Sequence, residues 1–198
     1  MVMTSRTKGQ RTNDPVGTRN RVIDVAACAF QTRGYNATSV LDVLKASGVS
    51  PGALHHHFPT KRHLIEAVLR ERVAVEVDQT WAKAVREAPS ALEGIQSIFA
   101  SVADALDAQG TVSGCPLGNI ALELSRSDEE LRAMIALEYD KWRGAIVDKL
   151  HTENSEIDDP EGFAMMVVAL FTGAMSLAKV EQNGRSLRSC GAQLRVFR

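Results

Sequence analysis

The sequence predicts an all-α protein: a small N-terminal three-helix helix-turn-helix domain joined to a larger C-terminal helical bundle. Three observations lead there. Apolar residues recur at i, i+3, i+4 and i+7 in one segment after another, with no strand-like alternation. Aromatic residues are only 5% against 44% hydrophobic, so the cores are filled mainly by Ala, Val, Leu, Ile and Met, which favours helices over a β-sandwich. The 198 residues exceed one minimal domain, and charge divides them unevenly. Residues 1–62 hold nine Lys/Arg against three Asp, a net of +6, whereas residues 63–198 hold 14 Lys/Arg against 21 Asp/Glu, a net of −7. A basic lobe attracts phosphates while the acidic remainder limits non-specific adhesion to DNA.

In order along the chain, residues 1–17 are polar and without period, which predicts a flexible arm. From Thr18, Val22, Val25, Ala26, Ala29 and Phe30 mark a first helix that Gly34 stops. Ser39 with Asp42 three residues on forms a capping box for a second helix, striped by Val40, Val43 and Leu44 and broken at Gly48. Ser50-Pro51 is an N-cap followed by proline at the first helical position, Val49 can staple onto Leu54, and Pro59 ends this third helix near His57. Thr60 caps a long helix from Lys61 to about Ala88. Further helices are expected after Ser90, over 117–125, over 128–151 and over 161–181, the last apolar nearly all round and so covered on more than one side. The periodicity of 185–198 is too weak to assign.

The second and third helices, joined at Gly48, are spaced as a helix-turn-helix whose last helix enters a major groove about 12 Å wide. The run Thr38-Ser39-Val40-Leu41-Asp42-Val43, then Gly48-Val49-Ser50-Pro51-Gly52-Ala53-Leu54-His55-His56-His57-Phe58-Pro59-Thr60-Lys61, resembles the DNA-binding signature of TetR-family transcriptional regulators. Phe30, Gly34 and Tyr35 ahead of it fit the same spacing. The resemblance implies a homodimer that binds a double-stranded DNA operator through residues 18–62, with residues 63–198 binding a small-molecule effector and dimerising. It implies that Thr38, Ser50 and His55 contact phosphates, that Pro51, Gly52, Ala53 and His56 lie against the groove, and that Lys61 binds a phosphate at a helix start; Ser39 belongs to the same surface. His55 stands where the family usually has Tyr. The three successive histidines diverge by about 100° per residue on a helix and so cannot together ligate one metal ion.

On the effector side, Gly114-Cys115-Pro116-Leu117-Gly118-Asn119 resembles the subgroup with an LmrA-type C-terminal domain. Helix-start amides around Cys115 would stabilise a thiolate, the requirement for sensing oxidants or electrophiles. Its rival reading is a small buried side chain in a turn. Cys28, on the apolar first helix, is expected in the core. The expected pocket is mostly apolar and suited to a lipophilic effector, lined by Phe99, Cys115, Leu117, Trp142, Met165 and Met166, with Asn119 as a polar anchor. The helices over 128–151 and 161–181 are the dimerisation candidates.

No cofactor or metal is expected. No apolar stretch is read as approaching the roughly 20 residues that span a bilayer, and the polar start lacks a signal-peptide core, so a cytoplasmic protein without membrane partner is expected. An enzyme would need a nucleophile with a base and an orienter; no Gly-rich phosphate loop, HExxH run or Gly-x-Ser-x-Gly elbow is present, and Cys115 with a distant histidine is the one candidate, so no enzyme is expected. Two rivals stay open: thiol-based sensing through Cys115, and a helical adaptor that binds protein through the same surface.

Overall fold

The computed structural model describes residues 14–197. The expected arm therefore lies mostly outside the described residues, and its last part is helical. Helix α1 spans Pro15–Arg33, three residues ahead of the expected start: the Asp14 carboxylate accepts from the Gly17 N–H at 2.8 Å, and proline supplies the first helical φ. Helices α2 (Val40–Ser47) and α3 (Pro51–His57) follow, and all three pack around Val22, Ile23, Ala26, Phe30, Val43, Leu54 and Phe58.

Helix α4 (Lys61–Val68) does not end with this unit. It runs through a π-helical turn at Leu69–Val73 into α5 (Ala74–Val77), then through a second π segment at Asp78–Lys83 into α6 (Ala84–Glu87). The residues at each junction keep right-handed helical angles, so the chain continues through both segments as one helical rod. Its first turns bury Leu64, Ile65 and Val68 against the N-terminal unit, and its last turns bury Trp81 and Val85 in the C-terminal one.

The C-terminal unit adds α7 (Ala91–Gln109), α8 (Pro116–Leu124), α9 (Glu129–Thr152), α10 (Pro160–Glu181) and α11 (Arg185–Gln193), with a 3₁₀ turn at Leu194–Phe197. No strand occurs among the described residues. Trp81, Phe99, Trp142 and Phe171 form its aromatic centre, with edge-to-face contacts such as Trp81–Phe171 at 4.8 Å between ring centroids. The unassigned tail is thus an ordered helix that closes this core. Its signal was hidden because one of its packing residues is glycine: a Cβ on Gly191 would stand 2.7 Å from the Phe99 Cβ, so only a bare backbone lets α11 approach α7.

The reading that no segment is apolar enough to span a bilayer is corrected by α10. Its 22 residues include a window of mean hydropathy 1.8, sufficient by length and composition. Its apolarity has a local cause, because α10 packs between α9 and α11 and buries Phe163, Val167, Phe171 and Met175 there.

Candidate nucleic-acid interface and effector cavity

The turn between α2 and α3 is fixed by caps at both sides. Ser39 Oγ accepts from the Asp42 N–H, while Asp42 Oδ2 accepts from the Ser39 hydroxyl at 2.6 Å and from the Ser39 N–H at 2.9 Å, and the two bonds to the carboxylate hold it below its usual range. Gly48 closes α2 in the left-handed region at φ 66°, where a Cβ is strained. Ser50 Oγ accepts from the Ala53 N–H at 3.2 Å and starts α3. Leu54 and Phe58 anchor α3 inward, which leaves Ser50, Pro51, Gly52, His55 and His56 exposed, with Ala53 half-buried beside them. One face of a short helix, entered from its N-terminus, is offered to solvent. Ser39 is exposed as well.

Two of the expected phosphate contacts sit differently. Thr38 is completely buried: its hydroxyl donates to the Gly34 carbonyl at 2.8 Å and lies 3.3 Å from that of Ala29, so it ties the end of α1 to the start of α2 instead of reaching outward. The sequence suggested a surface role because a threonine just before an N-cap is equally suited to either. Lys61 places its ammonium 4.1 Å from the centre of the Tyr35 ring, where burial lowers its pKa and the nearby Glu123 carboxylate partly offsets that.

The C-terminal unit grips this region. The Glu123 carboxylate, on α8, accepts from the backbone N–H groups of Tyr35 at 3.0 Å and Asn36 at 2.9 Å. Gly34 makes room for it, since at φ +91° a Cβ there would lie 2.5 Å from Glu123 Oε1. Gln31 Nε2 donates to the Gly114 carbonyl at 3.2 Å, and Asn119 Nδ2 donates to the carbonyls of Ser113 and Gln31. Arg62, just inside α4, pairs with Asp128 and Glu130 at the start of α9.

A cavity of about 450 Å³ lies directly beneath these contacts. Of the residues named from the sequence, Cys115, Leu117 and Trp142 line it. Phe99 does not: it is fully buried behind Trp81 and Phe171. Asn119 on α8 and the half-exposed Met165 on α10 line a different groove, with Tyr139 and Thr172, and Met166 faces a separate cleft with Leu92 and Phe163. The Asn119 side-chain amide is thus engaged in clamping α1 to the segment before α8 and does not line this cavity. The helical period could not decide which side of α10 faces inward, because both are apolar.

Residues not anticipated complete the wall. The rod contributes Val73, Glu76, Val77, Thr80 and Trp81, and α1 contributes Cys28, Gln31 and Thr32. Both sets follow helical spacing, which was the available signal. Cys28 is exposed at the cavity and not in the core, since Val22, Ala26 and Ala29 occupy the inward face. The Cys115 thiol is also corrected: the Gly118 N–H points at Sγ from 3.5 Å and favours a thiolate, but burial outweighs it and pushes the pKa up to about 11. Burial likewise raises the Glu76 carboxyl above its ordinary range.

A capped helix-turn-helix with one exposed helix face, carried on a rod shared with a cavity-bearing bundle, points to a DNA-binding regulator. Comparison with known proteins makes the class specific. Residues 22–68 match the bacterial regulatory proteins of the tetR family, and residues 91–193 match the C-terminal domain of LmrA/YxaF-like transcriptional regulators. The chain belongs to the TetR family of transcriptional regulators, in its LmrA/YxaF-like group.

It is similar to the HTH-type transcriptional regulator LmrA of Bacillus subtilis (strain 168), at 24% identity over 85% of this chain and 90% of that protein. It is 26% identical to the HTH-type transcriptional repressor DhaR of Mycobacterium sp. (strain GP1), over 85% and 86% of the two chains. Among solved structures, a TetR transcriptional regulator from Chloroflexus aurantiacus J-10-FL superposes with a TM-score of 0.79 at 25% identity, covering 92% of this chain and 94% of that one.

Proposed function

We propose that this protein is a repressor that a small, largely apolar effector releases from a palindromic operator. The observation that carries the reading is the composition of the cavity wall: α1 of the DNA-reading unit and the rod that follows α3 both line it, together with the start of α8. A molecule filling the cavity pushes on the helices that hold α3 in place. Helix α8 adds a second route, because it bears Cys115 to Leu117 at the cavity and Glu123 at the turn after α1. An effector that prefers the non-binding arrangement by a few kcal/mol is enough to release DNA.

On this reading residues 18–62 read DNA, joined by the first turn of α1, and residues 63–198 sense and dimerise. Ser50, Pro51, Gly52, Ala53, His55 and His56 meet the groove and its phosphates, with Ser39 and Lys61 flanking. Two copies pair through α9 and α10, whose outward side carries Leu137, Met165, Leu177 and Val180 exposed, with Ala169 and Gly173 permitting close approach. Two recognition helices then fall about one DNA turn apart. The protein acts where operator DNA lies, in the bacterial cytoplasm. Thiol sensing through Cys115 has weaker support, because burial keeps that thiol protonated.

Fluorescence anisotropy with DNA flanking the gene tests the proposal. Sequence-selective, salt-sensitive binding is expected, and it should weaken uniformly across sequences when Lys61→Glu removes a phosphate partner. Absence of selective binding overturns it.

A further inference from the structure

We infer that the molecule held in this cavity is an organic cation with an apolar body. The inference rests on reading the cavity as the effector site. Of the residues that line it, Glu76 alone carries a charge; the other polar groups, among them Gln31, Thr80 and Gln109, are neutral, and no Lys, Arg or His faces it.

Glu76 is also uncompensated. It has no hydrogen bond or ion pair among the described residues, and the two arginines that precede it most closely on its helix are engaged elsewhere. Arg72, one turn earlier, binds Asp24 at 2.5 Å, and Arg70 faces Glu66 at 3.7 Å. The apolar part of the wall is aromatic at its centre, with Trp81 and Trp142 in contact at 4.5 Å between ring centroids and Phe171 against both.

The three kinds of guest fare differently here. An anion meets a like charge. A neutral guest displaces water from a carboxylate and leaves it without a partner, which is costly. A cation restores the lost solvation through its charge, and its apolar groups cover the aromatic wall. A single carboxylate on an otherwise uncharged wall thus selects by sign of charge, whereas the shape of the cavity selects by size.

Tetraphenylphosphonium and tetraphenylborate have the same shape and opposite charge, and serve as probes. The only two tryptophans of the chain, Trp81 and Trp142, both line the cavity, so quenching of intrinsic fluorescence reads occupancy directly. The phosphonium is expected to bind at least about tenfold more tightly than the borate. That preference should vanish in Glu76→Gln and reverse in Glu76→Lys, with thermal melts confirming that both variants fold. Equal binding of the two ions, or a preference untouched by either substitution, overturns the cation inference. If either ion still releases the protein from DNA in that case, the effector reading survives. If neither ion quenches the tryptophans nor releases DNA, both readings fail together.

Discussion

Removing the Glu123 carboxylate should loosen the turn between α1 and α2 without unfolding the protein. The carboxylate accepts two backbone N–H groups at 3.0 and 2.9 Å, from Tyr35 and Asn36. Hydrogen bonds to a charged acceptor contribute about 1.5–3 kcal/mol each when sheltered, and here Asn36 is exposed and Glu123 only half-buried. Roughly 1 kcal/mol apiece is the appropriate figure, or about 2 kcal/mol for the pair. Local opening then becomes about thirtyfold more frequent, because about 1.4 kcal/mol is a factor of ten. Amide hydrogen exchange measures this directly: in Glu123→Ala the Tyr35 and Asn36 amides should exchange about thirtyfold faster. Core amides such as those of Ile65 and Val68 should keep their rates. Unchanged exchange at Tyr35 and Asn36 would refute the argument, since the carboxylate would then not be what holds the turn. Uniform acceleration would refute it differently, by showing that Glu123 supports the whole fold.

Cys115 should destabilise the protein in alkali: its folded-state pKa of about 11 lies above the ordinary 9.0, so folding favours the thiol, and the stabilisation present below pH 9 is lost as pH rises toward 11. Urea midpoints at pH 8 and pH 10.5 should show the loss, with Cys115→Ala flattening it. The Trp142 indole N–H is buried without an acceptor, so Trp142→Phe should stay within about 1 kcal/mol of the parent in urea melts, whereas Trp142→Ala should cost about 3–5 kcal/mol through the cavity it opens. At Gly191 even a methyl group meets the Phe99 side chain, so Gly191→Ala should lower the thermal midpoint by an amount equivalent to about 1–3 kcal/mol.

What the sequence made legible is what neighbours in the chain decide. The caps at Ser39, Ser50 and Thr60, the left-handed Gly48 and the inward Leu54 are set within a few residues, and each stands where its spacing placed it. The inward placement of Thr38 was not legible because it depends on the carbonyls of Gly34 and Ala29, which the end of α1 delivers only after folding. The cavity was legible as a region and not as a list of residues. Leu117 and Trp142 have a single apolar face to turn inward, but Met165 and Met166 sit on a helix that is apolar on both sides, and only α9 and α11 determine which of those sides is covered. The wall residues from α1 and the rod escaped because each belongs to a helix already satisfied by another partner.

The two π segments of the rod bear on how such proteins can diverge. A hydrogen bond from i to i+5 encloses one residue more than an α-helical turn, so each segment stores a spare residue without breaking the helix. Losing one residue from Leu69–Val73 would convert it to ordinary α-helix and leave the faces on either side in their present phase. The number of residues between the N-terminal and C-terminal units is thereby open to change by single-residue deletion, while the alignment of Lys61 with the first unit and of Trp81 with the second is retained.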